Sequence, residues 1–184
     1  LTLKNRILMG PMGTGFADKD GYPTQQMIEY YAERAKGGPA MIIVEATSID
    51  PIGGFGPYTL RIDDDKFIDG LSRLAKAIKN NGAYAAIQLN HAGRYALSRV
   101  IGTQPVAPSP IPSRYTGETP RELTGEEIED IIEKFGDAAR RAMEAGFDAV
   151  ELMGATGYLL SQFISPITNK RVDKYGGDIH GRST

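Results

Sequence analysis

The stretch AGFDAVELMGATGYL, residues 145–159, decides how this chain reads. Gly146 supplies the break that ends a helix, and the apolar run 149–152 that follows is short enough to be a buried strand. A helix that turns directly into a strand is part of a parallel β/α unit, so Met153, Thr156 and Tyr158 fall at the C-terminal mouth of that strand. In a β/α barrel, chemistry is done at that mouth. From there to Arg182 the chain is a long polar loop, and loops that elaborate carry function more often than spacing.

Working outward, three more short apolar runs read as strands, at residues 6–9, 40–45 and 84–89, each ending in small or polar residues. Helical patterns separate them. Residues 24–36 carry Met27, Tyr30 and Tyr31 on one side and stop at Gly37-Gly38. Residues 67–80 repeat Phe67, Leu71, Leu74 and Ile78 at helical spacing. Residues 124–144 open on Thr124 and Glu127, spaced as a capping box, and place Ile128, Ile131, Ile132 and Phe135 on one face. Residues 102–120, with Pro105, Pro108, Pro110, Pro112 and Pro120, exclude a helix or a central strand and read as an ordered loop.

Strict alternation predicts the first four βα units of a TIM (β/α)8 barrel, whose usual size is about 250 residues. We expect one unit over residues 1–184 with no internal domain boundary. The rival is a doubly wound open sheet, which normally offers a GxGxxG turn after its first strand; MGPMGTG lacks one. A phosphate-binding aldolase-type barrel would need a Schiff-base lysine on a strand, and none of the four strands carries one.

With 41% hydrophobic and 24% charged residues the chain has the balance of a globular protein with a real core. A net charge of −2 with scattered Lys and Arg argues against nucleic acid or a membrane surface and for a small-molecule partner. The lack of cysteine excludes disulfides and cysteine-ligated metal within these residues and fits a cytoplasmic setting. No run approaches the ~18 apolar residues of a membrane span. The N-terminal LTLKNR has neither a signal-peptide pattern nor an initiating methionine, so the natural start is expected upstream.

At the strand ends, Pro11, Met12, Gly13 and Thr14 offer close backbone approach and a hydroxyl, although taken alone they read first as a tight turn. Ala46 leaves room for a flat ligand. Gln88 both donates and accepts, which suits the pyrimidine edge of a flavin; it could instead satisfy loop backbone. His91 reads as a loop-ordering hydrogen bonder, since no second ligand lies at metal spacing. Tyr158 is the candidate acid, a phenol protonated at neutral pH with a pKa of about 10. Residues 169–177 read as a self-paired polar loop with a structural role.

Taken together, LKNRILMGPMGTG, QLNHAGR and GYLLSQFISPITNKRVDKYGGDIHGR closely resemble the Old Yellow Enzyme family of flavin-dependent ene reductases, over the whole chain. The resemblance implies a (β/α)8 barrel with FMN at its C-terminal mouth and reduction of activated alkenes by NADH or NADPH. Pro11, Met12, Gly13 and Thr14 would line the flavin, Ala46 would approach its ring edge, Gln88 would bond its pyrimidine, and Tyr158 falls on the proton donor. Most members grip the substrate carbonyl with a histidine and, three residues on, an asparagine or histidine; here those positions are Met153 and Thr156, which with Asn90 form the expected substrate contacts. MGATGYL is more similar to the branch of 2,4-dienoyl-CoA reductase and the bile-acid and enoate reductases. Larger members of that branch carry a 4Fe-4S cluster after the barrel, outside this chain. The ENR triplet of the family is His180-Gly181-Arg182 here. The expected partner is a small alkene, with a homo-oligomer or association through exposed half-barrel edges; the competing expectation is a non-catalytic half-barrel that folds or self-associates without holding FMN tightly.

Overall fold

A computed structural model describes residues 1–184. In chain order the strands are β1 (Leu8–Met9), β2 (Met41–Ser48), β3 (Leu60–Arg61), β4 (Tyr84–Asn90), β5 (Val106–Ala107), β6 (Arg121–Glu122) and β7 (Ala149–Leu152). The helices are α1 (Gln25–Lys36), α2 (Ile68–Asn80), α3 (Ser98–Ile101), α4 (Gly125–Glu144), α5 (Leu159–Ile164) and α6 (Ile179–Arg182). The main sheet runs β1-β2-β4-β7, all parallel, with β3 beside the end of β2. It is an open sheet, not a closed barrel, with β1 and β7 as its edges. No helix is long and apolar enough to cross a membrane.

The helices begin where their caps dictate. Thr24 Oγ1 accepts from the Met27 amide at 3.2 Å, and Thr124 with Glu127 forms the reciprocal capping box, satisfying amides that a helix start leaves bare. Their apolar stripes, including Met27 and Tyr31 of α1 and Leu71, Leu74 and Ile78 of α2, are buried in one core with Ile42, Val44, Ile87 and Leu89 of the strands. That alternation along β2 and β4 turns the intervening Glu45 and Gln88 to the other face of the sheet, towards the mouth.

Three features differ from the sequence reading. β1 is shorter than residues 6–9, while β2 and β4 run on to Ser48 and Asn90, because Thr47 and Ser48 bond their hydroxyls to nearby carbonyls and so tolerate burial. The proline-rich segment is an ordered loop as expected, but it is stapled by the two-residue pair β5–β6, with the Arg121 amide on the Pro105 carbonyl at 2.7 Å. Ile132, grouped with the buried face of α4, is exposed beside Phe135, Leu160 and Phe163 in an apolar groove between α4 and α5.

Candidate active site

The ladder between β2 and β4 slips between Val44 and Thr47, so that Glu45 and Ala46 together oppose Gln88. This bulge turns a carboxylate to the sheet's mouth. Glu45, 1% exposed, accepts the Thr14 amide at 2.8 Å and meets the Tyr31 hydroxyl at 3.4 Å, while its own amide donates to the Tyr31 oxygen at 2.9 Å. Burial pushes the Glu45 carboxyl up from the ordinary glutamate range, against the opposing pull of the Thr14 and Tyr31 hydrogen bonds. Tyr31 is pushed up as well, by burial and by the neighbouring carboxylate. Residues 10–14 are thereby fixed as a lip whose outer side is open: a Cβ added at Gly10 or Gly13 would meet nothing within 4 Å, and Met12 is exposed.

Gln88 lies below this lip, 4% exposed, in register with Glu151 of β7. Its Nε2 donates to Glu151 Oε1 at 3.0 Å, and its carbonyl oxygen has no protein partner. Both amide atoms of Asn90 and Glu151 Oε2 are buried without a hydrogen bond. The mouth thus holds unspent donors and acceptors beside small residues, the chemistry that the edge of a flat, polar heterocycle completes.

Tyr158 caps the start of α5 and is half-buried in a cavity of about 390 Å³ formed with Phe55, Tyr95, Tyr115 and Thr156. Its ring lies edge-to-face on Tyr95 at 5.8 Å and 6.3 Å from Phe55. The phenol has no protein hydrogen-bond partner, and burial, then Tyr115 and Tyr95, pushes its pKa above the usual tyrosine value. The proton therefore stays on at neutral pH. Gly157 makes this packing possible, because at φ +87 a side chain there would be strained and would fall 2.6 Å from the Tyr95 hydroxyl. Thr156 also lies at positive φ, 56°, without being glycine, and marks a constrained turn at the cavity rim.

The segment after Tyr158 is fastened from several sides. Gln162, 1% exposed, donates to the carbonyls of Gly157 at 2.7 Å and Ala92 at 3.2 Å and accepts the Arg94 amide at 3.2 Å, so it joins the β4 and β7 loops. Asn169 bonds the carbonyls of Phe163 and Tyr175; Arg171 pairs with Asp173 and reaches the carbonyls of Leu123 and Pro108 in the proline-rich loop. The self-pairing expected of residues 169–177 is present, and their ties to the proline-rich loop and to Glu129 of α4 come in addition. His91 orders its loop: Nδ1 accepts the Gly93 amide at 3.0 Å and burial pushes its pKa down to about 4, so it is neutral.

The structure brings Thr14, Ala46 and Gln88 together across two strands, and it puts Thr156 in one cavity with Tyr158. Asn90 is buried with neither amide atom hydrogen-bonded, and the Met153 amide extends the β7 ladder to the Leu89 carbonyl. Sequence reasoning missed Glu45, Gln162, Phe55, Tyr95 and Tyr115. Only Glu45 left a signal, as a lone carboxylate inside an apolar strand.

The sequence model of the NADH:flavin oxidoreductase / NADH oxidase family matches residues 1–184. A "Metal reductase" of Desulforamulus reducens is 53% identical over 184 residues, 100% of this chain and 27% of the relative. An "NADH oxidase" of Thermoanaerobacter brockii is 50% identical, over 99% of this chain and 28% of the relative. Among solved structures, the old yellow enzyme homologue from Zymomonas mobilis superposes with a TM-score of 0.92 at 39% identity, covering 99% of this chain and 53% of that one. The chain therefore spans between about a quarter and a half of the length of these proteins.

Proposed function

Because the chain belongs to the NADH:flavin oxidoreductase / NADH oxidase family, we propose that the complete protein is an FMN-dependent ene reductase that spends NADH or NADPH on an activated C=C bond. In this reading the open sheet is the first half of a (β/α)8 barrel, and further strands close it beyond the free edges of β1 and β7. When bound, the flavin supplies hydride transfer from the nicotinamide to the β-carbon of the alkene.

The residues of this chain do the rest. Pro11, Met12, Gly13 and Thr14 line the flavin, held in place by the Glu45 carboxylate behind the Thr14 amide. Ala46 leaves room at the ring edge, and Gln88 offers its free carbonyl oxygen and remaining N–H to the pyrimidine. Thr156 and Met153 after β7, with Asn90 at the end of β4, contribute to the substrate side of the mouth. Tyr158 delivers the proton to the α-carbon. The resemblance of MGATGYL to the dienoyl-CoA reductase branch points to substrates of the enoyl or dienoyl thioester or enone class.

One observation carries the reading: a protonated phenol with no protein partner, facing an aromatic cavity at the end of a parallel strand. Tyr158→Phe in the complete protein keeps the ring packing and deletes the proton. Alkene turnover should fall by about 10²–10⁴ for loss of a general acid while reduction by the nicotinamide continues. An unchanged alkene half-reaction removes Tyr158 from the chemistry.

A further inference from the structure

On the far side of residues 54–59 from the aromatic cavity lies a second cavity, also of about 390 Å³, and its chemistry is the opposite. Lys19 from the loop after β1, Arg61 of β3 and Arg99 of α3 line it together. Three cations from three separate segments repel one another unless something anionic lies among them. Arg61 is aimed deliberately. Its stem packs on Gly21, where a Cβ would fall 2.5 Å from Arg61 Cδ, and its Nε and Nη2 are held by Asp63 at 2.8 and 2.6 Å, leaving Nη1 free.

Asp63 offsets the charge of Arg61, while those of Lys19 and Arg99 are left without a counter-charge. Asp50, the one carboxylate on the wall, is already held by Lys134 at 2.6 Å and by the Ile52 amide at 2.9 Å. Lys19 and Arg99 have no carboxylate partner, and no hydrogen bond holds either side chain. The same wall that separates the cavities also joins them: Phe55 faces Tyr158, while Gly54, Gly56, Pro57 and Thr59 face the cations. Residues 54–59 thus border both cavities.

We propose that this cavity is a phosphate subsite, in which Lys19, Arg61 and Arg99 hold the phosphate groups of a nucleotide-bearing reactant whose reacting head lies beside Tyr158. It rests on the function proposed above and adds the handle by which a reactant is held. Two reactants share the required adenosine diphosphate: the nicotinamide dinucleotide and a CoA thioester. Guanidinium and ammonium groups bind phosphate through charge-assisted hydrogen bonds, which are the stronger class.

Adenosine 5′-diphosphate, titrated calorimetrically into the complete protein, is the direct probe. Saturable binding should weaken about tenfold in Lys19→Gln and in Arg99→Gln, as expected for loss of one hydrogen bond to a charged group, and should fall as salt rises. Absence of saturable binding, or binding by both variants as tight as by the unsubstituted protein, overturns the proposal. Steady-state KM values then name the source. A comparable rise for the nicotinamide dinucleotide alone, or for an enoyl-CoA thioester alone, assigns the tail, with a phosphate-free enone as the control. No rise for either, or an equal rise for the phosphate-free enone, overturns the proposal even where the diphosphate binds. Should the protein neither take up flavin nor reduce an alkene, the proposed function fails, and the titration still decides whether the phosphate subsite exists.

Discussion

Residues 10–14, after β1, hang from the rest of the mouth by the buried Glu45 carboxylate, through the 2.8 Å bond to the Thr14 amide, whereas the segment after β7 is folded on itself by Asn169 and fastened by Gln162 and Arg171 to Ala92, Pro108 and Leu123. The difference follows the work each is given. A lip that approaches a planar ring needs small residues and an open outer side, and so keeps few contacts of its own. A turn that presents one phenol at a set height needs redundancy, since it holds Thr156 at positive φ and must resist relaxation.

The largest effect is expected where the redundancy is greatest. Arg171 is 8% exposed, and replacing it by Leu strands the Leu123 and Pro108 carbonyls and Asp173 at once. A loss of about 2–4 kcal/mol is expected, mostly from the two stranded buried carbonyls, read as a lower denaturant midpoint. A variant with unchanged stability would mean that the β7 segment is no better fastened than the β1 lip.

His91, whose carbonyl accepts the Leu159 amide at 3.0 Å, sharpens the comparison through pH. Its folded pKa of about 4 lies below the ordinary value of about 6.5. The unfolded chain takes up the proton first, so stability is fully present above pH ~6.5 and is lost as pH falls towards the folded value, by about 3 kcal/mol in all. His91→Gln should flatten acid unfolding in that window; an identical pH profile would show that the buried imidazole is not what senses acid.

At the weaker lip, Glu45→Ala removes the acceptor of the Thr14 amide and is expected to cost about 1–3 kcal/mol, seen both in stability and in flavin retention. Glu45→Gln keeps an acceptor without the burial cost of a charge, so it should be close to neutral. If Glu45→Gln released flavin as readily as Glu45→Ala, charge and not the hydrogen bond would be holding the lip.

The parallel sheet and its helices were legible because caps and apolar spacing are local: Thr124 with Glu127, and Phe67 through Ile78, determine their own conformation. Tyr158 and Gln88 were legible by position, at the ends of recognisable strands. The aromatic cavity was not. Phe55, Tyr95, Tyr115 and Tyr158 come from four separate stretches of chain, and only folding brings them into one wall. Glu45 stood out as a carboxylate in an apolar strand, but its role did not: the bulge that turns it to the mouth is a mismatch in length between two strands, which neither strand shows alone.

The claim beneath all of this is that the mouth of the sheet completes its hydrogen bonds with a flavin, and Gln88 tests it most directly. Gln88→Leu in the complete protein leaves the pyrimidine edge unpaired at a cost of about 1–3 kcal/mol. A flavin titration should show affinity several-fold weaker or more, with a displaced absorption band. Unchanged affinity together with an unchanged spectrum would contradict the account, and would place the flavin away from Gln88, Ala46 and Thr14.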